Sequence, residues 1–350
     1  MSNRVYRVAI IGTGRIASTL EDDAYRPHPC THAGAYAACP KTQMVAVCGR
    51  SQENLDRFTA RWGVRAQYTD FREMLIRERP DIVSICVHPT LHRDMVLAAC
   101  ENQVKAIFCE KPIATTLEDA RVIVDACRRR GTRLIINHSR RWGSVYHEAR
   151  RLINDGLIGD LLHITGYCQG SMPQRGLIPD SVFETEGPML HDGTHLYDMF
   201  RFFAGEVAWV QAHVQWVRKQ AMEDTCVNYV AFKNGVTAVG FVNQRTDYVR
   251  FELEFQGTWG RLTLPDFSVW RSRPSSRFEG YRELYLDETI KKPEDNNWFV
   301  DAVREIIACI EEGRDSISTG EDGLAALEMI EGFYRSERQG GRRITLPLAD

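Results

Sequence analysis

Short apolar runs alternate with amphipathic stretches through the first part of the chain. Arg7 to Ile11, Met44 to Cys48, Ile82 to Val87, Ala106 to Cys109 and Arg133 to Asn137 read as strands. Between them Ser51 to Arg61, Phe71 to Glu78, Arg93 to Asn102 and Leu117 to Arg130 carry apolar residues at helical spacing. This beat predicts a parallel sheet wound on both faces, because parallel neighbours need long crossovers and helices supply them. Thr115-Thr116-Leu117-Glu118 fits a capping box, and Ser51-Gln52-Glu53-Asn54 opens the helix after the second strand. One stretch breaks the beat. Glu21 to Cys39 is longer than the unit needs and holds Arg26-Pro27-His28-Pro29, which cannot be helix interior, so it is expected as an inserted loop. Either it flanks a binding site or it is a solvated connection.

After about residue 160 the texture changes to a largely antiparallel sheet. Asn228 to Phe232 and Val236 to Phe241 flank Lys233-Asn234-Gly235, and Asn-Gly favours a hairpin because both residues tolerate positive φ. Phe251, Leu253 and Phe255 alternate with Glu252, Glu254 and Gln256 before Gly257-Thr258-Trp259-Gly260 turns the chain into Arg261 to Leu264. A sheet with one apolar face needs a cover, either helices or a second subunit. The tail returns to helix at Trp298 to Glu312 and Glu321 to Arg338, with Gly313 to Gly320 as the link.

Composition narrows the class. A chain of 350 residues exceeds what one core usually supports, and 43% hydrophobic residues suffice for two. The net charge is -3, and the densest basic run, Arg128-Arg129-Arg130, falls at a predicted helix end where cations complement the dipole. Nucleic acid is therefore not an expected partner, because phosphate neutralisation needs clustered cations. No apolar leader or span of about eighteen residues is present, so no membrane partner and a cytoplasmic location are expected. The ten cysteines form no C-x-x-C pair, and Cys48, Cys86, Cys109, Cys127 and Cys309 lie inside apolar segments, as reduced core thiols would.

The first strand runs straight into Gly12-Thr13-Gly14-Arg15-Ile16-Ala17, a G-x-G-x-x-A turn. Gly12 permits the tight turn, Gly14 lets the main chain approach a pyrophosphate, and Ala17 is small enough for close helix packing. With the preceding beat this predicts an α/β protein. An N-terminal Rossmann domain, a doubly wound parallel sheet, is expected over 1–138. A C-terminal α/β domain with a large, mostly antiparallel open sheet is expected over 139–350. The second strand ends in Cys48-Gly49-Arg50-Ser51 without the carboxylate that binds the ribose of NAD. Arg50 offers a fork for the extra phosphate of NADP and Ser51 a hydroxyl, which favours NADP, with NAD the alternative if Arg50 is merely solvated.

Two clusters remain. Phe108-Cys109-Glu110-Lys111-Pro112 presents Lys111 at a parallel strand end, where ligands of such sheets gather. Gly187-Pro188-Met189-Leu190-His191-Asp192-Gly193-Thr194-His195 runs into a helix, placing His195 in its first turn, where the dipole keeps imidazole neutral and able to accept a proton. His191-x-x-x-His195 and His88-x-x-x-His92 have spacings that suit a metal, but no H-E-x-x-H accompanies them and Pro89 stops a helix through His88, so no metal is expected.

The ordered set of Gly-rich turn, Glu110-Lys111-Pro112 and late Gly193-x-His195-x-x-Asp198 resembles the glucose-fructose oxidoreductase and inositol dehydrogenase family, over nearly the whole chain. The resemblance implies hydride transfer between NADP or NAD and the hydroxyl-bearing carbon of a sugar, cyclitol or sugar derivative. It implies a homodimer or homotetramer joined through the C-terminal sheet. It makes Gly12, Thr13, Gly14, Arg15, Ile16, Arg50, Ser51, His88, Pro89, His92, Glu110 and Lys111 the dinucleotide set. By the same resemblance Lys111 contacts the reacting hydroxyl or the nicotinamide region, and His195 serves as general acid/base. Arg140, Arg141 and Trp142, after the fifth long strand, join Lys111, His191 and His195 at the substrate. The chain departs from the pattern two residues before Gly193, where an aspartate is usual and His191 stands, with Asp192 displaced by one. His191 and Asp192 stay in the catalytic set, with His191 binding a hydroxyl, orienting His195 through water, or only packing. The scaffold also serves redox-neutral glycosidases and a dinucleotide-binding regulator; retention of Lys111 and His195 favours an enzyme over a regulator, whereas His191 favours a specialised or altered chemistry. Ser171 to Glu186, with Arg175, Asp180 and Glu184, either binds hydroxyls or is a mobile surface loop.

Overall fold

The computed structural model describes residues 4–171, 186–217 and 221–349. The chain divides into two compact units, one reaching to Trp142 and taking up Asn296–Leu327, the other running from Gly143 to Asp295 and from Glu328 onward.

In the first unit β1 (Tyr6–Ile11), β2 (Thr42–Cys48), β3 (Ala66–Tyr68), β4 (Ile82–Ile85), β5 (Ala106–Cys109) and β6 (Arg133–Ile136) lie in the order β3-β2-β1-β4-β5-β6. All pairs are parallel. The strand order reverses at β1, which opens a crevice at the carboxyl ends of β1 and β4. Val8, Ala9 and Ile10 are inaccessible to solvent, as a strand covered on both faces requires. The three-residue β3 is half-buried throughout and too short to show a period in the sequence. Helices α1 (His32–Ala37), α2 (Gln52–Trp62), α3 (Phe71–Glu78), α4 (His92–Glu101) and α5 (Leu117–Arg130) make the crossovers. Ser51 and Thr116 cap α2 and α5, accepting from the amides of Asn54 and Asp119, while left-handed Gly63 and Gly131 end them.

The expected insertion is spliced into the first helix rather than following it. The chain makes one turn after Gly14, with Ser18 N donating to Gly14 O at 3.0 Å, then leaves through a 3-10 turn at Thr19–Asp22. It returns at Thr31, and the amides of His32 and Ala33 donate to the carbonyls of Ile16 and Ala17 at 3.1 and 3.0 Å. Part of the stretch read as loop is therefore α1, capped by Thr31. Glu21 closes the excursion: its carboxylate accepts from Cys30 N at 2.8 Å and Thr31 Oγ1 at 2.7 Å and pairs with His28 Nδ1 at 2.6 Å. A side chain at Gly34 would collide with that carboxylate.

The second unit is built on nine strands: β7 (Leu161–Ser171), β8 (Val207–Gln215), β9 (Thr225–Phe232), β10 (Thr237–Thr246), β11 (Arg250–Gly257), β12 (Gly260–Leu264), β13 (Ser268–Pro274), β14 (Arg282–Leu286) and β15 (Ile344–Thr345). Their order is β14-β13-β12-β11-β7-β10-β9-β8-β15, antiparallel except for β7 with β10. The Asn234-Gly235 hairpin joins β9 to β10 as expected, with Gly235 at φ 90°. Alternation divides the faces cleanly. Ile164, Val210, Val230, Ala238, Leu253 and Phe255 are buried. Gly166 lets Leu196 and Phe200 of helix α7 (Thr194–Ala204) lie on this face, the short α6 (Ser144–Asn154) completing the set before it. On the opposite face Tyr167 stacks on Phe241 at 5.5 Å and Trp209 on Tyr229 at 5.0 Å, all four half-exposed.

A sequential division at residue 138 does not survive. Helix α8 (Trp298–Glu312) returns to the first unit, where Ala302, Val303, Ile306 and Ile307 join the core containing Val8, Ile10, Phe108 and Ile135. An amphipathic pattern reports that a helix has an apolar face, and says nothing about which core receives it. The first part of α9 (Gly320–Arg338) belongs there too, since Gly323 sits against Ile136 and Ile113.

Candidate active site

At the end of β1, Gly12 has φ 113° and donates to Cys48 O at 2.8 Å, while a Cβ there would strike Cys86 O. Only glycine fits this turn between β2 and β4. Gly14 is exposed and a Cβ on it meets no protein atom within 4 Å. Among the described residues the amides of Thr13, Gly14 and Ile16 donate to no protein acceptor. Open space above a run of undonated amides fits a pyrophosphate. Arg15 is half-exposed beside them and Ala17 is buried.

Arg50 is exposed just past β2 and forms no ion pair among the described residues, while Ser51 spends its hydroxyl on the cap of α2. His88 is half-buried and caps a 3-10 turn at Pro89–Leu91, with Nδ1 2.9 Å from Thr90 Oγ1. His92 lies differently from its expected place at the dinucleotide. It is fully buried, with Nδ1 3.1 Å from Ile113 O and Nε2 3.1 Å from Val87 O, so both ring nitrogens face main-chain oxygens.

Lys111 stands two residues past the end of β5 and is half-buried. The side chain of Glu110, expected at the dinucleotide, turns into the interior instead: Oε1 lies 2.8 Å from His32 Nε2 and accepts from Asn137 Nδ2 at 2.6 Å. Burial pushes this carboxyl up, but the bonds from His32 and Asn137 and the nearby Lys111 outweigh it and hold the group below the usual carboxylate range. His32 and Ser84 escaped notice in the sequence because only the sheet brings them, with Asn137, to Glu110.

Arg140 is half-exposed. Arg141 is buried and donates to Ile317 O at 2.5 Å and to Asp322 at 3.1 Å, which ties it to the start of α9 and the segment before it. Trp142 is buried, its ring edge-on to Phe108 at 6.0 Å, and its indole N–H meets no acceptor among the described residues.

In the second unit Met189–Gly193 form a π-helical turn that runs directly into α7. His195 therefore does not stand at a free helix N-terminus, and the dipole argument for its neutrality lapses. The π turn carries His191 and Asp192, both half-buried, with His195 buried one turn on. Single π turns inside helices mark functional sites more often than chance. Glu186, buried, lies 3.1 Å from His191 Nδ1 through Oε2. Glu223 holds the turn from below: it accepts from Met189 N at 3.0 Å and from Tyr334 OH at 2.5 Å, and Gly187 leaves room for its carboxyl. Burial raises the Glu223 carboxyl above the usual range despite these bonds. Of Ser171 to Glu186, residues 172–185, with Arg175, Asp180 and Glu184, lie outside the described residues.

Among the described residues the group close enough to hold an ion is Glu21, His28 and Cys30, where the carboxylate is spent on closing the inserted loop. Cys30 donates to Leu20 O, and its thiol is pushed up to about 11 by burial and by Glu21.

Comparison with known proteins fits this arrangement. Residues 6–138 match the model of an oxidoreductase family with an NAD-binding Rossmann fold, and 146–263 match the GFO/IDH/MocA C-terminal domain. A D-apiose dehydrogenase of Paraburkholderia graminis is 26% identical, covering 88% of this chain and 84% of its own. A myo-inositol 2-dehydrogenase of Thermotoga maritima is 24% identical over 92% and 93%. Among solved structures an Agrobacterium radiobacter oxidoreductase in complex with NAD+, L-tartaric acid and magnesium superposes with a TM-score of 0.80 at 20% identity, over 97% and 98% of the two chains. No helix of the described residues is long and apolar enough to cross a membrane.

Proposed function

The chain belongs to the GFO/IDH/MocA family of NAD-binding oxidoreductases, and on that premise we propose the division of labour by which it moves hydride between NADP and the hydroxyl-bearing carbon of a sugar, cyclitol or sugar derivative. It is an NAD(P)-dependent dehydrogenase or reductase. When bound, the nicotinamide supplies the hydride acceptor or donor, and the protein supplies binding, orientation and proton transfer.

The observation that carries the reading is the open cradle at Gly14, on the same carboxyl edge of the parallel sheet as Lys111. Thr13, Gly14, Arg15 and Ile16 take the pyrophosphate, with His88 and Pro89 on the β4 side. Arg50, exposed and without an ion pair among the described residues, takes the adenosine-side phosphate and sets the preference for NADP. Lys111 polarises the reacting oxygen. His195 takes its proton, because a hydroxyl carbon that loses hydride must lose the hydroxyl proton as well. His191, paired with Glu186, and Asp192 bind the hydroxyls, with Arg140 and the Trp142 indole N–H as further donors. His92, Glu110 and Arg141 are left out, because their polar atoms serve other partners.

The exposed aromatic face of the nine-stranded sheet is assigned to a second copy of the chain, since contiguous apolar surface of that kind marks an interface. The ten free, buried cysteines suit a reducing compartment, the cytoplasm in this reading.

The deciding experiment follows absorbance at the reduced-nicotinamide band with NADP+ or NAD+ and a panel of sugars, cyclitols and sugar acids. The expected result is substrate-dependent reduction, stronger with NADP+. Silence across the panel by a protein that demonstrably binds dinucleotide overturns the reading.

A further inference from the structure

A chain of buried polar groups runs beneath Lys111 that no dinucleotide or substrate contact requires. Tyr36 OH lies 2.9 Å from Ser84 Oγ, Ser84 Oγ 3.0 Å from His32 Nδ1, His32 Nε2 2.8 Å from Glu110 Oε1, and Asn137 Nδ2 2.6 Å from the same oxygen. All five side chains are buried, and His32, Ser84 and Tyr36 essentially completely. The His32 ring packs on Phe108 at 4.4 Å and edge-on to Phe299 at 5.7 Å. The chain thus links α1, β4, the end of β5 and the end of β6.

Such a network is poor value for stability alone. An apolar set of similar volume packs at least as well, whereas a buried carboxylate requires every partner to stay in place. A buried ionised group at the ligand-facing edge of a doubly wound sheet is a candidate for function on physical grounds. Glu110 is the residue before Lys111, so whatever fixes its carboxylate also fixes the main chain from which Lys111 projects.

We propose that His32 is a positioning residue for this oxidoreductase: anchored by Ser84, it clamps the Glu110 carboxylate and thereby sets the place of Lys111 against the bound dinucleotide. This rests on the assignment of Lys111 given above. The spliced helix gives it a physical basis. His32 is the first residue of α1, and the bond from its amide to Ile16 O ties the clamp to the glycine turn that cradles the pyrophosphate. One side chain then connects the two ends of the dinucleotide site.

The test compares wild type with His32→Gln, Glu110→Gln and the double variant, in which two neutral amides replace the pair and no buried charge is left without a partner. Two quantities are read on the intact protein: dinucleotide affinity by quenching of tryptophan fluorescence, and the acetylation rate of Lys111 by acetic anhydride with and without dinucleotide, followed by peptide mass spectrometry. In wild type, bound dinucleotide should slow Lys111 acetylation about tenfold or more, the difference expected of a well-placed amine. The double variant should keep its affinity within about threefold and lose that protection. Its turnover, on whatever substrate the panel yields, should fall about 10- to 100-fold with little change in KM, as misplacement of a reacting group on an ångström scale predicts. Full protection and turnover in a folded double variant overturn the proposal and leave His32 a packing residue. Should the double variant not fold, Ser84→Ala decides, since it leaves the contact of His32 with Glu110 in place and removes the partner of the far His32 nitrogen and of Tyr36 OH: wild-type protection there overturns the proposal, and reduced protection supports it. Absence of protection in wild type overturns the assignment of Lys111 itself, an outcome distinct from failure of the clamp.

Discussion

The carboxylate of Glu186 lies 3.1 Å from Nδ1 of His191, across the entry of the π turn. A paired carboxylate fixes the imidazole ring and its tautomer. The family resemblance puts an aspartate where His191 stands, and on the proposed reading Glu186 supplies the carboxylate one side chain further back. Glu186→Gln and His191→Ala are each expected to lower kcat/KM about 10- to 100-fold, the worth of one charge-assisted hydrogen bond. Because the two act as a unit, the double variant should lose little more than either alone, and steady-state kinetics of the four proteins measure that coupling.

Lys111→Ala should reduce turnover on the order of 100- to 10,000-fold while dinucleotide affinity stays nearly constant, as loss of a group acting on the reacting oxygen predicts. Steady-state rates beside a binding titration separate the two effects. Wild-type turnover in this variant removes Lys111 from the site.

If the Arg50 guanidinium meets the extra phosphate as proposed, Arg50→Ala is expected to weaken NADP+ binding about 10- to 100-fold and leave NAD+ binding unchanged. Raising the ionic strength should narrow the gap between the two dinucleotides in wild type, because the contact is exposed. Equal losses for both dinucleotides would place Arg50 elsewhere.

Glu223 offers a test by pH. Burial raises its carboxyl in the folded state. Between the ordinary carboxylate value and the raised one the folded protein holds more protons than the unfolded chain, so stability falls as pH rises through that window. Glu223→Gln keeps the shape and bonding of the neutral acid. It should therefore raise the melting temperature by a few degrees at pH 8 and change little near pH 4, where wild type is already protonated. Thermal melts at the two pH values check this, and destabilisation at both would mean the carboxylate form is the one required by Tyr334 and Met189.

Phe241→Glu places a charge in the stacked pair with Tyr167 on the exposed sheet face. If a second copy covers that face, sedimentation velocity should show an oligomer for wild type and a smaller species for the variant, with the melting temperature of the monomer unit preserved. A monomeric wild type disposes of the interface.

Much of this protein is local, and what is local could be read directly from residues. The turn at Gly12 and Gly14 is marked by a short motif, the caps at Ser51 and Thr116 need only the next three amides, and the faces of β7 to β12 follow from a period of two. The family signature adds Lys111 and His195, since it is an order of short motifs. What the sequence could not decide depends on partners far along the chain. An amphipathic pattern could not tell α8 which core to join, and the excursion at Thr19 hid the fact that α1 completes the first helix. His32 and Glu110 stand 78 residues apart, and Ser84 and His32 52 apart, so their union exists only once β4 and β5 lie side by side. Sequence determined which segments become strands, helices and phosphate turns, because those follow from short-range sterics and hydrogen bonding. Tertiary structure alone decided which buried polar groups meet, because a lone polar residue in an apolar segment carries no sign of its partner until packing removes water from both.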